Sequence, residues 1–140
     1  MHRVFVYGTL KRGHGNNRLL AHATLVGRYV TQLPLLFKCL GGFPGLVRTR
    51  EYEPAPPPRE VGGEVWEVND EQLESLDWLE GHPSFYERQR IRVAGEEVWT
   101  YILPPDHRYM TLPDVETPFW RQTEAEAEYL DSVTPSGFGA

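Results

Sequence analysis

The sequence predicts an α+β domain: a small, mostly antiparallel sheet, partly closed into a β-barrel, with two or three short helices. Three observations predict it. Strand-like patterning recurs along the chain, while helical periodicity is confined to short stretches. Residues 86–93 and 97–103 are strand-like runs flanking Ala94-Gly95-Glu96, which reads as a hairpin. A small sheet also leaves exposed edges, and closing the sheet removes them.

The elements follow in order. Residues 2–7 form a first strand around the β-formers Val4-Phe5-Val6, and the chain then turns at Gly8. Asn16 or Asn17 caps a short helix over residues 18–22. Residues 24–32 read as a strand, followed by irregular segments punctuated by Pro34, Gly41, Gly42, Pro44 and Gly45, with a short strand at Leu46-Val47-Arg48. The proline-rich residues 53–59 form a stiff surface loop, too short to separate two folding units. Residues 61–68 alternate as a strand. Asn69 or Asp70 caps a helix from Glu71 to Glu80, stopped by Gly81 and Pro83. Beyond Pro104 the pattern weakens; Thr123 caps a helix over 123–131, and residues 134–140 read as frayed.

The 140 residues fit a single domain, 1–140, with its core at about 3–103. Cys39 has no second cysteine to pair with, which suits a reducing compartment, and Met1-His2-Arg3 runs straight into a strand without a leader pattern. The expected location is the cytoplasm. No apolar run reaches membrane-span length, so no membrane partner is expected. A net charge of -6 without a basic block argues against nucleic acid. No long apolar face is left over for a second copy, so a monomer is expected. The five histidines show no i,i+4 pair and no cluster with Cys39, so no metal site is expected. There is no Gly-x-Ser-x-Gly elbow, and Gly13-His14-Gly15 is too short for a dinucleotide loop. Glu124–Glu128 reads as a solvated helix face.

Two features carry chemistry. At Tyr7-Gly8-Thr9-Leu10 a strand ends on backbone N–H groups with little side chain in the way, a patch that suits a small anion; ordinary strands also end this way. In the helix after Asp70, Leu73, Leu76 and Leu79 define an apolar arc at about 100° per residue. Glu80 falls inside that arc and Asp77 at its edge. Such a carboxylate bends back to solvent, pairs with Arg88 or Arg90, or lines a partly buried pocket. In a pocket, desolvation and the helix C-terminus both favour its neutral form, as a general base or proton shuttle requires.

The segments Val6-Tyr7-Gly8-Thr9-Leu10-Lys11-Arg12-Gly13, Val61–Val68, Leu76-Asp77-Trp78-Leu79-Glu80-Gly81 and Tyr86-Glu87-Arg88 occur in this order. In this the chain resembles the γ-glutamylcyclotransferase-like superfamily, and within it the AIG2-like γ-glutamylamine cyclotransferase branch. The resemblance covers residues 3 to about 103. It implies a partly closed β-barrel, no metal or organic cofactor, and cyclisation of a small γ-glutamyl substrate to 5-oxoproline. It implies further that the turn Tyr7, Gly8, Thr9, Leu10 holds the γ-glutamyl group, that Glu80 is the acid/base, and that Tyr86 and Tyr101 are secondary pocket residues. Tyr101 shares a strand face with Trp99, and both suit a core as well as a pocket. Trp66 and His14-Gly15-Asn16 depart from the branch pattern. A non-catalytic binding member of the same fold, or an amide hydrolase using Glu80 to activate water, are the competing readings.

Overall fold

The structure is a computed structural model that describes residues 1–11 and 13–120. Seven strands form one sheet among these residues: β1 (His2–Val6), β2 (Thr24–Leu33), β3 (Leu36–Cys39), β4 (Pro44–Val47), β5 (Arg59–Val68), β6 (Glu87–Val93) and β7 (Glu96–Leu103). The helices are α1 (Asp70–Glu80) and the single turn α2 (His107–Met110), with a 3-10 helix at Asn17–Leu20. The helix expected over 123–131 lies outside the described residues.

The strand order is β2-β5-β1-β7-β4-β3, and β6 pairs with β7. Most pairs are antiparallel, but β7 runs parallel to both β1 and β4. The Thr31 hydroxyl on β2 donates to the Arg92 carbonyl on β6 at 3.2 Å. The two ends of the run β2-β5-β1-β7-β6 therefore meet, which curls the sheet into the expected half-barrel. The β6–β7 hairpin turns through Ala94 and Gly95, both at positive φ (51° and 81°), as a two-residue primed turn requires.

Residues paired across strands share a face, and alternate residues on one strand do too. The register therefore aligns Leu25 and Arg28, Trp66 and Glu64, Val4 and Val6, and Trp99 and Tyr101 on one side of the sheet. Helix α1 lies over this side, because Asp77 on α1 accepts a hydrogen bond from the Tyr101 hydroxyl at 2.7 Å. Asn69 caps α1 in a full capping box with Gln72, and Gly81 ends it in the left-handed conformation at φ 68°, its N–H reaching the carbonyls of Asp77 and Trp78.

Two local expectations are corrected. The segment read as irregular contains β3, four residues long and too short for alternation to show, while the short strand expected at Leu46-Val47-Arg48 is found two residues earlier as β4. The two pair with each other, β4 also pairs with β7, and β3 is flanked by residues 113–115: the Cys39 N–H donates to the Pro113 carbonyl and the Val115 N–H to the Phe37 carbonyl, each at 2.8 Å. The helix expected over 18–22 is a single 3-10 turn. Asn16 stands at its N-cap position without a side-chain cap bond: its Nδ2 donates to the Thr9 hydroxyl and its Oδ1 faces the Arg18 guanidinium at 3.4 Å.

Candidate active site

The turn after β1 is buried throughout: Tyr7 and Leu10 are at 0% exposure and Thr9 at 7%. Its carbonyls are held from outside the turn. Asn16 N–H donates to the Thr9 carbonyl at 2.9 Å, and the Asn17 amide donates to the Leu10 carbonyl at 2.9 Å. The Asn16 side chain, itself 1% exposed, donates to the Thr9 hydroxyl at 2.7 Å. The Lys11 N–H closes the turn onto the Gly8 carbonyl at 3.1 Å. Among the described residues, neither the Gly8 nor the Leu10 N–H donates to a protein acceptor. Buried N–H groups are nearly always paired. Two buried N–H groups of the turn are thus left without a protein acceptor among the described residues.

Glu80 is the last residue of α1 and is 0% exposed. Of the three fates open to it, the bend to solvent does not occur. Arg88 is taken by Asp77, its Nε donating to Oδ1 at 2.9 Å, and Arg90 lies 3.4 Å from Glu97. The Glu80 carbonyl accepts from the Tyr86 N–H at 3.2 Å, which ties the end of α1 to the approach to β6.

The negative charge of Glu80 acts on three tyrosines, Tyr7, Tyr86 and Tyr101. Burial is the first cause pushing each phenol well above its ordinary range, and Glu80 adds to it in all three. For Tyr7 the Leu46 N–H opposes the shift; for Tyr101 the Asp77 carboxylate reinforces it. Each hydroxyl has a fixed acceptor. Tyr7 donates to the Tyr101 carbonyl and Tyr86 to the Pro44 carbonyl, both at 2.6 Å, and Tyr101 donates to Asp77. The three phenols are neutral donors at physiological pH, and they brace the walls around Glu80.

The turn, Glu80, Tyr86 and Tyr101 come from four separate stretches of chain. The structure gathers Tyr7, Tyr86 and Tyr101 around Glu80's charge. Sequence reasoning missed the parts that hold them: Asn16 and Asn17 gripping the turn, and the Arg88–Asp77–Tyr101 chain anchoring the last turn of α1. Trp99 carries Arg88 on its ring at 4.3 Å and Arg90 at 4.7 Å, so on its shared face it is a cation platform while Tyr101 is core. Asp77 at the edge of the apolar arc was the available signal for the second group; two adjacent asparagines after a glycine-rich turn were the signal for the first.

A cavity of about 370 Å³ adjoins the turn, lined by Lys11, Gly13, His14, Leu25, Arg28, Glu64 and Phe119. It begins where the turn ends, and Glu64 stands opposite Val6, just before the turn. Leu25, Arg28 and Glu64 belong to the sheet side that faces α1. Its far wall comes from the segment after β7, where Trp120 is 2% exposed and its carbonyl accepts from the Lys11 ammonium at 2.8 Å.

Comparisons with known proteins bear on the family and the fold. The profile of the family described as gamma-glutamyl cyclotransferase, AIG2-like, matches residues 4–122. A Vibrio cholerae protein provisionally named a gamma-glutamylcyclotransferase is 37% identical over 113 residues, spanning 81% of this chain and 91% of its own. The crystal structure of an AIG2-like protein from Mus musculus superimposes with a TM-score of 0.67 at 27% identity, covering 90% of this chain and 92% of that one. The solution structure of the Escherichia coli protein ytfP gives a TM-score of 0.62 at 28% identity, covering 89% and 98%.

Proposed function

The chain belongs to the gamma-glutamyl cyclotransferase, AIG2-like family, and on that premise we propose that it releases 5-oxoproline from small γ-glutamyl conjugates, with Glu80 as proton shuttle. The observation that carries this reading is a fully buried carboxylate at a helix end, walled by three neutral phenols, in a fold whose neighbouring turn offers buried N–H donors.

The chemistry asks little of the protein beyond that. The substrate's own α-amine attacks its γ-amide carbonyl carbon, a five-membered lactam closes, and the γ-carbon–nitrogen bond breaks. Two protons leave the α-ammonium and two reach the departing nitrogen, so one carboxylate carries them in turn. Burial favours the neutral form of a carboxyl, which is the direction such a shuttle needs near neutral pH. The Gly8 and Leu10 N–H groups hold the α-carboxylate or the oxyanion that develops on the γ-carbonyl. Holding the glutamyl chain folded supplies the larger share, since oriented intramolecular attack reaches effective molarities of about 10⁵ M or more. In this reading the enzyme is a cytoplasmic monomer whose partner is the small γ-glutamyl substrate alone, with no role for nucleic acid, membrane or cofactor.

The test is Glu80→Gln. The folded variant is expected to lose 5-oxoproline release by roughly 10²-fold or more, with its circular dichroism unchanged. Normal release from a folded variant would remove Glu80 from the mechanism. Free glutamate as the wild-type product, in place of 5-oxoproline, would replace cyclisation by hydrolysis.

A further inference from the structure

We propose that Arg28, stacked on Phe119 at the wall of the cavity beside the turn, selects leaving amines that carry a carboxylate. This rests on the cyclotransferase reading and names the substrate class within it.

The Arg28 guanidinium lies 3.9 Å from the centre of the Phe119 ring. Arg28 makes no ion pair with a carboxylate of the described residues. A guanidinium held over a ring face keeps N–H donors for a ligand, and their fork matches a carboxylate two bonds at a time. The ring is itself seated. A Cβ at Gly62 would come within 2.6 Å of Phe119, so the ring fills the notch that this glycine leaves, and the Gly62 N–H donates to the Pro118 carbonyl at 2.7 Å. Phe119 is therefore fixed between β5 and Arg28, and the stack prepays part of the ordering cost of the arginine.

The charge balance points the same way. Among the described residues, the cavity wall carries two permanent cations, Lys11 and Arg28, and one carboxylate, Glu64. Glu64 is buried and already accepts a hydrogen bond from the Trp66 indole at 3.1 Å. A leaving amine with a carboxylate would bring the opposite charge to this wall. A polyamine leaving group would add cations to it. At about 370 Å³ the cavity is in the range of small-molecule sites and has room for an amino acid.

The experiment compares γ-glutamyl-alanine with γ-glutamyl-alaninamide, which differ only in the leaving group's carboxylate, and adds γ-glutamyl-putrescine as the cationic case. In each, kcat/KM for 5-oxoproline release is measured for wild type and Arg28→Gln. The wild type is expected to favour the acid over the amide by about tenfold or more, as for loss of a charge-assisted bond, and to use the putrescine conjugate least. Arg28→Gln is expected to bring the acid-to-amide ratio close to one. Equal rates for acid and amide in the wild type would overturn the proposal. So would an equal loss on both in the variant, which would put Arg28 on the γ-glutamyl group that all three substrates share. If no substrate releases 5-oxoproline, the cyclotransferase reading fails instead. Calorimetric titration of the same acid and amide then decides Arg28 alone: tighter binding of the acid, lost in Arg28→Gln, supports the assignment, and equal binding overturns it.

Discussion

Tyr7→Phe separates bracing from chemistry at the proposed site. The substitution keeps the ring, and with it the edge contact to Phe37 at 5.8 Å and the tilted contact to Phe5 at 6.5 Å. It removes only the hydroxyl, which donates to the Tyr101 carbonyl at 2.6 Å and accepts from the Leu46 N–H at 3.2 Å. Tyr7, Leu46 and Tyr101 are all 0% exposed, so no water replaces either bond. A buried polar group left unpaired costs about 1–3 kcal/mol. The carbonyl keeps a second lone pair for other donors and sits at the low end; the Leu46 N–H loses its partner and sits higher. The expected destabilisation is about 3 kcal/mol, which for a domain of this size lowers Tm by roughly 10 °C. Urea unfolding should show a lower midpoint at unchanged m-value, since the same surface is exposed. The phenol stays protonated across the working pH range, so its removal neither adds nor removes a titration. The pH dependence of 5-oxoproline release by the folded variant should keep its shape. A loss of stability below about 0.5 kcal/mol would refute the buried two-bond account, because surface-like substitutions fall in that range. A displaced pH profile at wild-type stability would make Tyr7 a proton-transfer group.

The remaining predictions follow from the same packing. The pKa values of Tyr7, Tyr86 and Tyr101 are all raised by folding, so above pH ~10 the unfolded chain releases protons that the folded chain keeps, and stability falls as pH rises. The stabilising effect of keeping these phenols neutral is complete below pH ~10. It is lost above that at about 1.4 kcal/mol per pH unit for each tyrosine; tyrosinate absorbance should rise together with loss of circular dichroism, and early, non-cooperative ionisation of these phenols in a folded protein would contradict it. Gly63→Ala should be worse than an ordinary surface change, because its Cβ would fall 2.4 Å from the Val6 carbonyl and 2.6 Å from the Phe5 ring. Backbone cannot swing aside, so a loss of about 3 kcal/mol or more is expected, read as a urea midpoint; a near-wild-type midpoint would show that β1 and β5 can separate locally.

Much of the architecture was written in local pattern. Residues 61–68 alternate, the Asn69–Gln72 capping box and Gly81 bracket α1, and the Ala94-Gly95 turn sets the last hairpin; each works through neighbours within a few residues. So does the anomaly of Glu80, since helical geometry alone puts it among Leu73 and Leu76, where it is buried. The strand β3 was not legible, because a four-residue strand is held by partners far along the chain or beyond a loop, here β4 and residues 113–115. Nor did local pattern show what surrounds Glu80. Tyr7, Tyr86 and Tyr101 lie far apart along the chain, and their hydroxyls find acceptors on strands that meet only when the sheet curls. The same holds for Arg28 and Phe119, separated by most of the domain and stacked through a notch at Gly62. The sequence by itself determined that Glu80 shares a helix face with Leu73 and Leu76 and that a strand ends at Gly8-Thr9, because both follow from local geometry; the structure decided that Glu80 goes inside and not back to solvent. Only the tertiary structure decided what faces them, because long-range contacts are set by register and closure and leave no local periodicity to read.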